Sequence, residues 1–125
     1  MRNFRTLEIW KQGIQIASCI YKLVELLPKE EKFGLKLQMC RAAVSIPSNI
    51  AEGCSRNSEI EYKRYLEISI GSTFELETQL ILLKVIGLIP EEKMLDIFTL
   101  LSSEQKMINA LITKISKTQK QTAKS

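Results

Sequence analysis

Histidine is missing from the sequence altogether. With it go the commonest general base, the commonest metal ligand and the Glu-x-x-His pairs of di-iron bundles. No Gly-rich phosphate loop of either common spacing is present, and Ser45 and Ser48, on either side of Pro47, have no lysine or histidine spaced to activate them. Cysteine is scarce: Cys19, Cys40 and Cys54 are odd in number, widely separated and without a Cys-x-x-Cys pair. That pattern speaks for small buried thiols and against zinc or redox chemistry. Nowhere is there a run of about 18 apolar residues, and the start Met1-Arg2-Asn3-Phe4-Arg5 leads into no signal-like stretch. A cytoplasmic protein away from membranes is expected, with no catalytic, cofactor or metal site.

What is there suits one all-α domain. The chain has 125 residues, 45% of them hydrophobic and 26% charged, too apolar for disorder and long enough to bury a core without metal or disulfide. Lysine and arginine number 18 against 14 acids, a formal charge of +4 and a pI near 9.0. The excess favours polyanions mildly. Lys114, Lys117, Lys120 and Lys124 lie at the C-terminal end, so a disordered tail would leave the body close to neutral.

Four amphipathic segments read as helices over about residues 7–27, 34–53, 59–87 and 91–115, with a flexible basic tail at 116–125. In the first, Trp10, Ile14, Ala17, Tyr21 and Val24 form a four-three seam. A second row, Ile9, Ile16, Ile20, Leu23 and Leu27, widens the apolar face to about 160°, more than a surface helix needs. That row, Ile9, Ile16, Ile20 and Leu23 above all, is the expected surface of self-association. The second segment carries Leu35, Met39, Ala42, Ile46 and Ile50, with Pro47 inside predicting a kink, or alternatively a short loop at 45–47 with the helix restarting at Pro47. Gly53 reads as its stop. Ser58 and Glu61 form a capping box for the third, whose seam runs through Tyr62, Leu66, Ser69, Thr73, Leu76, Leu80 and Leu83 to Gly87. Ser69, Gly71, Ser72 and Thr73 would admit a close neighbour. Pro90-Glu91-Glu92 opens the fourth, with Met94, Phe98, Leu101, Gln105, Ile108, Ile112 and Ile115 as its seam. Short connections imply an antiparallel up-down-up-down four-helix bundle.

Among charged residues, Glu75 and Glu77 point about 200° apart on a helix and cannot act as one pair. A solvated face or a salt bridge to Arg41 or Arg64 is expected of them. Trp10 and the tyrosines read as core. Arg56, Lys63 and Arg64 gather at the start of the third helix, where cations oppose the dipole. With Arg41 they would make a polyanion-facing patch, unless Glu52, Glu59 and Glu61 merely balance them.

The run RAAVSIPSNIAEG, Arg41 to Gly53, followed by Arg56 and Ser58, resembles the bacterial 23S ribosomal RNA intervening-sequence proteins, often called four helix bundle proteins. The likeness continues through Tyr62 to Leu80 and reaches back to Phe4, Leu7 and Trp10. It implies an antiparallel bundle assembled as a ring, commonly a homopentamer. Similar bundles are accessory proteins of diversity-generating retroelements, where a basic pentamer meets a reverse transcriptase and nucleic acid. One position departs: Cys40 stands where the family usually has a second arginine, which removes a charge from the motif. Ser48, Asn49 and Glu52 match it, with polar packing around Pro47 as their expected task. Two functions follow, a self-assembling scaffold that binds RNA or DNA electrostatically, and a protein-interaction module that docks a partner such as a reverse transcriptase.

Overall fold

A computed structural model describes residues 2–124, with side chains through residue 121. Four α-helices run in sequence, α1 (Glu8–Leu23), α2 (Leu35–Cys54), α3 (Glu59–Ile86) and α4 (Leu95–Lys124), joined by short 3-10 turns and loops. Each helix packs beside the next and α4 returns to α1, the antiparallel bundle. Cross-helix hydrogen bonds fix the register: Ser45 meets Ser72 at 2.8 Å, Gln105 Nε2 donates to Glu77 at 2.8 Å, and Gln12 Nε2 donates to the Leu100 carbonyl at 2.7 Å.

The helix ends follow from local chemistry. A 3-10 turn at Val24–Leu26 leads α1 into Pro28, which has no N–H to continue it. Ser58 caps α3 by accepting the Glu61 N–H at 3.1 Å. Gly87, at φ 74°, ends α3 in the left-handed conformation, and the Leu88 N–H returns 3.1 Å to the Leu83 carbonyl. Pro90 opens a 3-10 turn at Glu91–Lys93 before α4 begins at Leu95. α2 is helical straight through Pro47, so no loop forms at 45–47. Polar side chains gather at this turn: Asn49 donates to the Ser45 carbonyl at 2.8 Å, and Ser69 Oγ of α3 to the Ile46 carbonyl at 2.9 Å.

Several positions differ from the sequence reading. On α1 the second row is the inner one, although Val24 of the first is buried as expected. Ile9, Ile16, Ile20 and Leu23 are buried in the chain's own core, whereas Ile14 and Tyr21 stand about half exposed. The true seam is Ile9, Gly13, Ile16, Ile20 and Leu23, a four-three-four-three rhythm passing through a glycine that a count of apolar residues skips. On α4 the expected seam holds at Leu101, Ile108 and Ile115, and at Met94 just before the helix, while Ile97 and Glu104 are buried and Phe98, Gln105 and Ile112 are half-buried. Glu104 takes the position expected of Gln105, which turns to α3 instead. Gly53 lies inside α2 rather than stopping it: a Cβ there would come within 2.9 Å of Tyr65 Cβ and 3.1 Å of Tyr62 Cδ1. Gly71 opens onto free space, so the close approach lies at Ser69 and Thr73, both buried, and at Ser72, which meets Ser45. α4 continues past Ile115 to Lys124, where a frayed tail is expected from Ser116; Ser125 lies outside the described residues. Trp10 is half-buried against the Phe4 ring, 5.1 Å between centroids.

Candidate nucleic-acid interface

Antiparallel packing brings the N-terminus of α1, the C-terminus of α2, the start of α3 and the far half of α4 to one end of the bundle. Of the four cations singled out by sequence, Arg56, Lys63 and Arg64 lie there. Arg41 lies on the exposed face of α2, about 20 Å along the axis from Arg56 at 1.5 Å per residue. The structure therefore groups three of the four and separates Arg41.

Arg56 is held by its surroundings. Its guanidinium donates to Glu52 Oε1 at 2.7 Å and to the Tyr65 hydroxyl at 2.8 Å, and its Cζ stands 4.8 Å from the Tyr65 ring centroid. Arg2, which the sequence reading passed over, is held likewise: it stacks 4.0 Å over Tyr62, donates to the Arg56 carbonyl at 3.1 Å and pairs with Glu59. Charge balance against Glu52 and Glu59 is thus the setting of Arg56 and Arg2. Lys63 and Arg64 make no hydrogen bond or ion pair among the described residues, and Arg64 is exposed.

The extended α4 adds to this end. The Gln105 to Glu77 contact fixes its register against α3, so Lys117 and Lys120 stand level with the first turns of α3. Lys114, Lys117 and Lys120 are exposed; the side chain of Lys124 lies outside the described residues. A shallow cleft lined by Arg2, Asn3, Phe4, Arg5 and Ser55 opens at the same end, between the N-terminal segment and the end of α2. The acids of α3 at this end are Glu59, which pairs with Arg2, and Glu61 and Glu67, both exposed. Cations therefore outnumber carboxylates at this end, and the surplus is presented by side chains that no partner holds among the described residues.

The remaining candidates resolve individually. Glu77 pairs with Gln105 and with neither Arg41 nor Arg64, and Glu75 is exposed. Cys54 is buried, Cys19 and Cys40 are half-buried, and all three are free. Burial pushes the Cys40 thiol up, with Lys36 lowering it and Glu25 raising it. Those two residues form a 3.1 Å ion pair. Cys40 thus sits beside the Lys36–Glu25 pair, at a distance from the basic end. Burial also raises the Cys54 thiol and lifts the Tyr62 hydroxyl to about 12. Among the described residues no group of three or more cysteines and carboxylates is placed to hold a metal ion, and no helix is long and apolar enough to cross a membrane.

The second surface feature is apolar. α3 bears hydrophobic residues on all sides. Opposite its core row, Ile68, Phe74, Ile81, Leu82, Val85 and Ile86 are exposed, Phe74 by 53% and Val85 by 74%. Large hydrophobic side chains standing outward among Glu67, Glu75 and Thr78 make this side of α3 a candidate contact surface.

Comparison with known proteins places this geometry. The model of the 23S rRNA-intervening sequence protein matches residues 5–110. A protein with unknown function from the S23 ribosomal protein family of Bacteroides thetaiotaomicron is similar in structure, with a TM-score of 0.77 and 26% sequence identity. The match covers 83% of this chain and 97% of that one. Among curated proteins there is no match.

Proposed function

The chain belongs to the 23S rRNA-intervening sequence protein family, and on that premise we propose that it is a non-catalytic assembly module whose copies form a ring, a pentamer by the family resemblance, and bind RNA or DNA through the basic end. The observation that carries this reading is the outer face of α3, with Phe74, Ile81, Leu82, Val85 and Ile86 exposed on one helix. Contact between copies would remove that surface from water at roughly 25 cal/mol per Å². It replaces the α1 row as the self-association surface, since Ile9, Ile16, Ile20 and Leu23 are spent inside the bundle.

Lys63, Arg64, Lys114, Lys117 and Lys120 supply the polyanion contact. They carry charge without a base-reading element, so binding is electrostatic and sequence-tolerant, and it suits the cytoplasm, where such nucleic acid is found. Sedimentation velocity on the wild type and on Phe74→Glu and Val85→Glu variants tests the assembly. A shift of the variants to monomer with unchanged helicity supports it; variants that sediment as the wild type does refute it.

The protein-docking alternative has one observation in its favour. Phe33 is 82% exposed at the opposite end, where Leu26 and Leu95 are also exposed. A partner such as a reverse transcriptase bound there would be released by Phe33→Ser and unaffected by Arg64→Glu.

A further inference from the structure

Glu104 is the one carboxylate in the core. It is fully buried, and neither Oε1 nor Oε2 has a hydrogen-bond partner. An ionised carboxylate in such a place costs several kcal/mol unless paired. Its place is nonetheless shaped for it. Where α1 crosses α2 and α4 the chain has Gly13, and a Cβ there would lie 3.3 Å from Glu104 Oε2, 3.3 Å from Pro47 Cβ and 3.4 Å from Ile46 Cγ2. The missing side chain of Gly13 is the room the carboxyl occupies.

The neighbours of Glu104 on α4 look elsewhere. Ser103 Oγ reaches Gln12 Oε1 at 3.5 Å, and Gln105 bonds to Glu77. Among the described residues no charged group shifts the Glu104 carboxyl; α1 presents Gly13 and α2 presents Ile46 and Pro47, and the buried α3 residues at the same level are Leu76, Leu80 and the uncharged Gln79, whose own Oε1 is unpartnered. Glu77, the acid of α3 at that level, is turned to Gln105. Burial alone raises the Glu104 carboxyl, to about 8. At neutral pH it is mostly the uncharged acid.

We propose that Glu104 is a proton-operated latch: its acid form lets α4 close against Gly13 of α1 and Pro47 of α2, and its ionisation loosens α4 from them. The proton leaves to solvent as α4 opens and returns when it closes, so opening and ionisation are one linked equilibrium.

The test uses the full chain. Hydrogen exchange of the α4 amides, corrected for the intrinsic pH dependence of exchange, is measured for the wild type and for Glu104→Gln, alongside a carbon-13 titration of the wild-type glutamate carboxyls. Protection of α4 in the wild type should fall by about tenfold between about pH 7 and pH 9, while Glu104→Gln stays level. One carboxyl resonance should titrate far above the rest. Equal pH dependence in both proteins, or all carboxyls titrating in the ordinary range, would overturn the latch. Should Glu104→Gln not fold, the wild-type titration and its α4 protection decide alone.

Discussion

Single residues set where this bundle is tight and where it is loose. Gly53 and Gly71 lie on neighbouring helices and look alike in sequence, yet only the first is crowded. Gly53→Ala forces Tyr62 and Tyr65 aside and should cost about 1–3 kcal/mol by urea denaturation. Gly71→Ala meets nothing within 4 Å, and should gain about 0.5–1 kcal/mol from higher helix propensity. Glu104 governs pH dependence. Its folded value, about 8, lies above its ordinary 4.5, so the stability it permits is complete below about pH 4.5 and is lost as pH rises toward about 8, near 1.4 kcal/mol per unit. Glu104→Gln should remove that slope; a slope unchanged in the variant would assign it to other groups. Neither Gly13 nor Glu104 was legible as core, because a count of apolar residues treats a glycine and an acid as gaps. They are among the places where the seams of α1 and α4 were misread, and they face each other.

At the scale of elements, periodicity and end signals read well. Ser58 begins α3 and Gly87 ends it where their chemistry requires. Ser58→Ala should cost about 1 kcal/mol in thermal or urea unfolding, since one backbone donor loses its acceptor. Gly87→Ala should cost a similar amount, roughly 1 kcal/mol, because an L-residue resists a left-handed φ. Tyr62, Leu66, Leu76, Leu80 and Leu83 face the core as their spacing demands. The rotation of α1 did not follow from its spacing, since both of its apolar rows satisfy a helical period. Packing chose the row whose glycine leaves room for α4. The extension of α4 through Lys124 was hidden too, because a polar sequence gives no stripe to mark helix, and Gln, Lys and Ala form helix readily.

The whole molecule has a basic end and an apolar flank, and both draw on α3, with Lys63 and Arg64 in its first turns and Phe74 to Ile86 farther along. Lys63 and Arg64 were visible as a cluster, whereas their alignment with Lys117 and Lys120 needed the antiparallel register of α3 and α4. Charge reversal at Lys63 and Arg64 together should weaken binding to structured RNA uniformly across sequences and lower the salt slope by about two. Filter binding over a salt series reads both; a loss confined to one RNA sequence would point to base recognition instead. The apolar flank carries the central claim of self-assembly. Multi-angle light scattering of the purified wild type, from low to high micromolar concentration, tests it most directly. The account predicts a particle several times the 14.3 kDa chain mass at every concentration. A particle of one chain mass throughout would contradict it.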